Sequence, residues 1–324
     1  MKTALVGDIG GTNARFALWR DQRIDSVRVL PTQEYPRPED AIRAYLKGVG
    51  HEVEDLEAVC LACAGPVSGD EFVFTNNHWR LSRQAFCKEL GLSELLLIND
   101  FSAMALGMTR LRAGELVDIC PGQSAPGRAR LVIGPGTGLG VATLVPLADG
   151  RWQALPGEGG HVCLPIGSRR EAALWERLHA KLGHVNAEAV LSGGGLLELY
   201  RTSCSLDDKP ATLTTPAEIT AAALNGDAYA KSVLEQFCVW LGRIAGDNVL
   251  TTGAQGGVYI AGGIVPRFVE FFARSGFAQS FRDKGGMSRY FDKVPVWVVT
   301  AEYPGLEGAG VALQSLLEGA PGGQ

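Results

Sequence analysis

The sequence has no Gly-Lys pair anywhere in its 324 residues, which excludes the GxxxxGK[ST] loop of P-loop nucleotide enzymes. It has no HExxH and no second CxxC, so the commonest zinc frameworks are missing. A Gly-x-Ser-x-Gly elbow is absent, and with it the nucleophile of the α/β-hydrolases. HRD and VAIK are absent too, so Asn99-Asp100-Phe101-Ser102 cannot be the DFG segment of a protein kinase. No basic run stands out, and 30 Lys and Arg against 35 Asp and Glu leave a net charge of −5. The footprint of a nucleic-acid binder is lacking. No apolar stretch reaches membrane-spanning length, and Ala4, Leu5 and Val6 before Asp8 make too short a core for a signal peptide. A cytoplasmic protein is expected, with neither nucleic acid nor membrane as partner. Seven cysteines, an odd number, fit a reduced interior better than a disulfide framework. Cys60 and Cys63 form a CxxC, but the apolar run Ala58–Ala64 around them reads as a buried strand, so packing is their expected role.

What the chain has in excess is glycine, 42 residues or about 13%, against a usual share of about 7%. With 46% hydrophobic residues and only 16 prolines, this is not a collagen-like or disordered chain. The length predicts two domains. Glycine must therefore be placed for a reason.

Apolar runs locate it. Ala4–Val6 leads into Gly7-Asp8-Ile9-Gly10-Gly11-Thr12-Asn13, and Ala14–Trp19 resumes a strand. Arg130–Ile133 leads into Gly134-Pro135-Gly136-Thr137-Gly138-Leu139-Gly140, and Val141–Val145 resumes again. Strand, glycine turn with threonine, strand: the pattern recurs, which suggests two related domains. A strand rather than a helix follows each turn, so a Rossmann site is not expected. Further strands are predicted at Ala58–Ala62, Glu71–Thr75, Leu95–Ile98, Val258–Ala261 and Val294–Val299. Helices are predicted over Glu39–Lys47, Arg83–Leu90, a capped segment from Ser168 to about Leu182, one starting at Thr215-Pro216, and a long one capped by Asp227. A glycine segment, Pro304–Gly310, is expected to precede a terminal helix at Val311–Leu317, with a frayed tail over 319–324. The alternation makes the chain α/β.

Glycine lets backbone N–H groups converge on one point, and such nests bind phosphate oxygens. Two strand-flanked turns with threonine favour a phosphate site over two ordinary hairpin turns. Asp8 beside phosphates would repel them unless a cation sits between, so it is either a Mg²⁺ partner acting through water or a turn-forming residue. Asp100 follows a buried strand and reads as a base for a substrate hydroxyl or as the N-cap of Ser102–Met108. Pro156-Gly157-Glu158-Gly159-Gly160-His161 holds an acid and an imidazole, which are hydrogen-bond partners for a polyol or a solvated turn. His184 and Glu188 are four apart on a possible helical turn and read as a solvated pair. His51, His78 and His179 belong to no constellation.

Together these segments resemble the bacterial glucokinases, members of the hexokinase–actin–heat-shock-chaperone ATPase superfamily. Gly7–Arg15 is similar to the first phosphate motif, Gly134–Gly140 to the second, and Tyr259–Pro266 to the adenosine motif. Leu97–Phe101, Leu155–His161 and Val190-Leu191-Ser192-Gly193 narrow the resemblance to the glucokinases. The resemblance implies two actin-like, ribonuclease H-like α/β domains around a central cleft, placed here at 1–110 plus 301–324 and at 111–300. It implies ATP-dependent phosphorylation of glucose at the 6-hydroxyl, with Mg²⁺ and ATP as cofactors. By resemblance, Asp100 is the catalytic base, and Asn99, Asp100, Glu158, His161 and Glu188 bind the sugar. Gly7, Asp8, Ile9, Gly10, Gly11, Thr12, Asn13, Gly136, Thr137, Gly138, Gly262 and Gly263 bind ATP, and Asp8 serves Mg²⁺. A homodimer is expected. The cysteine-rich zinc motif of the repressor–kinase branch is missing, since only Cys163 follows His161, so no structural zinc is expected. The first phosphate motif begins at residue 7, so no DNA-binding domain is expected before it. A kinase for another hexose or amino sugar, and a sugar or nucleotide sensor without turnover, are the alternatives. A bulky residue at Gly136 or Gly138 is expected to weaken ATP use before it unfolds the protein.

Overall fold

The computed structural model describes residues 3–65, 67, 69–75 and 77–319. Of the expected frayed tail, all beyond Gly319 lies outside the described residues. The chain divides into two compact units: Met1–Arg112 with Leu147–Pro156 and Ala301–Gln324, and Ala113–Pro146 with Gly157–Thr300. No composition change marks the segment Leu147–Pro156 that groups with the first unit.

In chain order the strands are β1 (Thr3–Ile9), β2 (Asn13–Arg20), β3 (Arg23–Pro31), β4 (Leu56–Cys63), β5 (Glu71–Val73), β6 (Arg80–Ser82), β7 (Glu94–Asn99), β8 (Leu116–Cys120), β9 (Arg130–Pro135), β10 (Leu139–Pro146), β11 (Trp152–Gly157), β12 (Val258–Ile260) and β13 (Val296–Val299). The first unit carries a sheet in the order β3-β2-β1-β4-β7. β1, β2 and β3 form an antiparallel meander, while β1, β4 and β7 run parallel. β4 is buried along almost its whole length because both its faces are covered, which is why it reads as one apolar run. On one face Ile42, Tyr45 and Leu46 of the helix Pro38–Val49 pack with Phe86 and Leu90 of the helix Arg83–Leu90. On the other, Leu306, Ala309 and Leu313 of the C-terminal helix Pro304–Leu317 pack against Ala4, Val6, Trp19 and Cys60. Cys60 and Cys63 are buried free thiols in this strand, as packing requires.

The C-terminal helix corrects the expected glycine segment. It begins at Pro304, so Gly305, Gly308 and Gly310 lie inside it. A β-carbon on Gly308 would strike the Ala103 carbonyl oxygen, and one on Gly310 would strike the Trp19 ring. These glycines cost helix propensity and return close helix–helix and helix–sheet approach.

In the second unit the strands β10-β9-β12-β13-β8 follow in that order, with β10–β9 antiparallel and β9, β12 and β13 parallel. An antiparallel hairpin opening into parallel strands therefore recurs in both units. The long helix Ala228–Thr252 starts where Asp227 Oδ1 accepts the Ala230 N–H at 2.7 Å. It drives Phe237, Trp240, Leu241 and Ile244 into the core, each fully buried. Burial of each such side chain is worth about 1.5–3 kcal/mol. The Thr215-x-x-Glu218 capping box forms, with Pro216 in the first turn. Ser168 caps the helix Arg169–Leu182. Among the described residues no helix is long and apolar enough to cross a membrane.

Candidate active site

In the first unit the C-terminal ends of β1, β4 and β7 lie side by side, with Ile9 opposite Cys63 and Cys63 opposite Asn99. That edge brings together the first glycine turn, Asp8, Asn99 and Asp100. Gly7, Asp8 and Ile9 belong to β1 and Asn13 opens β2, so the turn proper is Gly10-Gly11-Thr12. Gly7 is glycine for packing: a β-carbon there would come within 2.7 Å of the Leu61 side chain. The Ile9 side chain is likewise in the core. The turn is pinned through its carbonyls. Asn77 Nδ2 donates to the Gly10 oxygen at 3.0 Å, Thr32 Oγ1 to the Gly11 oxygen at 2.8 Å, and the Thr32 N–H to the Thr12 oxygen at 2.9 Å. Carbonyl lone pairs would repel a phosphate, so committing all three to protein donors suits an anion-facing turn.

Asp8 faces Arg15, its register partner on β2, at 3.4 Å. Burial pushes the Asp8 carboxyl above its ordinary range, with Arg15 pulling the other way, while 29% of the side chain stays accessible. Burial also raises the Cys63 thiol, helped by Cys60 and by the carboxylates of Asp100 and Asp8 near it.

The helix Asp100–Gly107 is capped by Asn99, whose Oδ1 accepts the N–H groups of Phe101 and Ser102, both at 3.0 Å. The sequence offered Asp100 as the cap. Asn99 takes that duty and leaves Asp100 in the first helical position, where its Oδ1 accepts the Phe101 N–H at 2.8 Å.

In the second unit β9 ends at Pro135 and β10 begins at Leu139, so the turn proper is Gly136-Thr137-Gly138. The Gly136 N–H donates to the Gly138 oxygen at 2.7 Å, and the Gly193 N–H donates to the Gly136 oxygen at 2.8 Å. Gly193, Gly194 and Gly195 open the helix Gly193–Leu206, capped by Ser192. The Leu139 N–H donates to Glu188 Oε2 at 2.7 Å. A β-carbon on Gly138 would strike that same oxygen, whereas one on Gly136 meets only the Gly138 oxygen, at 4.0 Å. Gly138 thus makes room for a carboxylate, which sequence reasoning had not assigned to it. Gly262, at φ +79°, abuts the Pro135 carbonyl and so joins the same turn. Thr12 and Thr137 are both exposed.

The acid-and-imidazole loop is held beside this turn. Glu188 N–H donates to Gly160 O, Ala187 N–H to Val162 O (both 2.9 Å) and Leu164 N–H to Val185 O (3.1 Å). His184 to Glu188 is therefore a ladder partner of the loop rather than a helical turn, and Glu188 engages Leu139. A β-carbon on Gly160 would strike the Leu139 carbonyl, and one on Gly159 would strike Asn248 and Val141. His161 Nε2 lies 3.8 Å from Glu158 Oε2 and 4.0 Å from Glu188 Oε2. These gaps are too long for direct hydrogen bonds. A hydroxyl between them can accept from the imidazole and donate to a carboxylate, which is the pattern a polyol meets. Sequence reasoning missed Thr32, Asn77 and Asn186, whose partners lie elsewhere in the chain.

A family model described as glucokinase matches residues 5–316. The chain is 60% identical over 316 residues to a glucokinase of Pseudomonas paraeruginosa, covering 97% of this chain and 93% of that protein. It is similar, at 36% identity and a TM-score of 0.86, to the crystal structure of a glucokinase from an Antarctic psychrotroph, covering 97% of this chain and 99% of that one. A Balamuthia mandrillaris glucokinase in complex with glucose shares the fold, at 24% identity and a TM-score of 0.75 over 96% and 93% of the two chains.

Proposed function

The chain belongs to the glucokinase family and phosphorylates glucose with ATP, and we propose that Asp100 is the general base of that transfer. Asn99 is the N-cap, and Asp100 stands in the first helical position where β7 ends. It takes the proton from the 6-hydroxyl as the oxygen–phosphorus bond forms and the bond to ADP breaks, giving glucose 6-phosphate and ADP. Asn99 binds the sugar with Asp100. Glu158, His161 and Glu188 bind further hydroxyls, and the observation that carries this is the imidazole Nε2 set between two carboxylates at near 4 Å.

The turns Gly10–Thr12 and Gly136–Gly138 serve the ATP phosphates through backbone N–H groups, with the exposed Thr12 and Thr137 hydroxyls as added donors. Gly262 and Gly263 serve the nucleotide beyond them. Among the described residues no cluster of three or more His, Cys, Asp or Glu could cage a metal. The single, partly accessible carboxylate of Asp8, paired with Arg15, fits Mg²⁺, which keeps its water and is held by one or two carboxylates together with substrate phosphates. Bound there, Mg²⁺ would supply charge neutralisation on the phosphate oxygens. A homodimer is part of the same proposal and is read by light scattering.

The test is ADP release with Mg-ATP across a hexose panel. Glucose should give the highest kcat/KM. A higher value with fructose, mannose or an amino sugar would overturn the glucose assignment, and ATP binding without ADP release would indicate a sensor.

A further inference from the structure

Asn186 sits behind His161, on the side away from the two carboxylates. Its two amide ends have different partners: the Ala189 N–H donates to Oδ1 at 2.9 Å, and Nδ2 faces His161 Nδ1 at 3.0 Å. A backbone N–H can only donate, so Oδ1 must face Ala189 and the NH₂ must face the imidazole. An NH₂ has no lone pair to offer, so His161 Nδ1 must be the acceptor. The Nδ1–H tautomer would set two N–H donors against each other.

We infer that Asn186 is a positioning residue that holds His161 in the Nε2–H tautomer. The inference rests on the reading of His161 as a sugar ligand and deepens it. Nε2 is the nitrogen that faces Glu158 and Glu188. With the proton there, the site offers one donor between two acceptors, and a sugar hydroxyl can satisfy both kinds at once. With the proton on Nδ1, three acceptors would face the same hydroxyl, which has one proton to give.

The backbone makes the device rigid. Asn186 forms a bridge pair with Cys163, and Val185, Ala187 and Glu188 hydrogen-bond to the loop segment carrying His161. The imidazole, its partner amide and Glu188 are thus fixed on two adjoining backbone segments.

Asn186→Asp is the informative change, because a carboxylate still accepts from Ala189 N–H and keeps the local turn. Its second oxygen accepts rather than donates, which draws the proton to Nδ1. Nitrogen-15 NMR of histidine-labelled protein, with His161→Gln identifying the signals, reads the tautomer directly. The wild type should show a bare Nδ1 and a protonated Nε2. In Asn186→Asp the proton should move to Nδ1, and KM for glucose should rise about tenfold with kcat within about threefold. In the His161→Gln background, Asn186→Asp should raise KM by less than about twofold. A wild-type Nδ1–H, or an unchanged tautomer and KM in Asn186→Asp, would overturn the inference. A His161→Gln enzyme with unchanged glucose affinity would instead overturn the sugar-ligand reading, and the NMR result separates the two failures.

Discussion

The two glycine turns are built on one plan and held in different ways. Each joins two antiparallel strands of a sheet that continues in parallel. The first, Gly10-Gly11-Thr12, is pinned through its carbonyls by Asn77 and Thr32. The second, Gly136-Thr137-Gly138, is pinned by Gly193 and, at the adjoining Leu139 N–H, by Glu188. The first clamp uses residues with no sugar role, whereas the second uses a residue proposed to bind sugar. The lesson is that a perturbation at the first turn should be felt by ATP alone, and one that reaches Glu188 at the second by both substrates.

Glu188→Ala should break the second clamp outright. It removes a charged acceptor, a bond worth about 1.5–3 kcal/mol, so kcat/KM for glucose and for ATP should both fall by roughly 10- to 100-fold. Loss on the glucose side alone would break the comparison. Gly138→Ala pushes a methyl into the space of Glu188 Oε2 and should raise both KM values by about tenfold or less. Asn77→Ala removes one neutral bond, worth about 0.5–1.5 kcal/mol. KM for ATP should rise by roughly two- to tenfold while the Kd for glucose, by calorimetry, stays put. Gly136→Ala meets only the Gly138 oxygen, at van der Waals distance, and should leave glucose affinity and Tm almost unchanged, with only ATP weakened.

Asp8 sharpens the comparison through pH, since the second turn has no carboxylate at the matching place. Its carboxyl is raised by burial, so folding favours the protonated form. That stabilisation is full below the ordinary carboxylate range and is lost as pH rises through the raised value. Asp8→Asn should therefore raise Tm at neutral pH, by a few degrees at most, and the gain should shrink as the solution is acidified. A Tm that drops at neutral pH would show Arg15 pairing to outweigh burial.

Much of the fold was legible because the relevant signals are local. Apolar runs placed β1, β4, β7 and β9, and Thr215, Asp227 and Ser168 announced their helices. The α/β class followed from alternation. The glycines were harder, because one residue type does three jobs. Gly10 and Gly136 lie in turns, Gly308 lets two helices touch, and Gly138 makes room for a side chain fifty residues on. Only the partner separates these uses, and the partner is distant in sequence. The same holds for Thr32, Asn77 and Asn186, ordinary polar residues until the fold sets them against Gly11, Gly10 and His161. Asn99 and Asp100 show a finer limit. Either could cap the helix, and the backbone decides by placing Asn99 one residue before it.

The most direct test of the account is Asp100→Asn, read in parallel for turnover and for sugar binding. The change keeps size and hydrogen-bonding reach while removing the base. Glucose affinity should stay within a few-fold of wild type, while kcat should drop by roughly 10²- to 10⁴-fold. Turnover within tenfold of the wild type, with glucose bound normally, would contradict the assignment of Asp100 as the group that takes the proton.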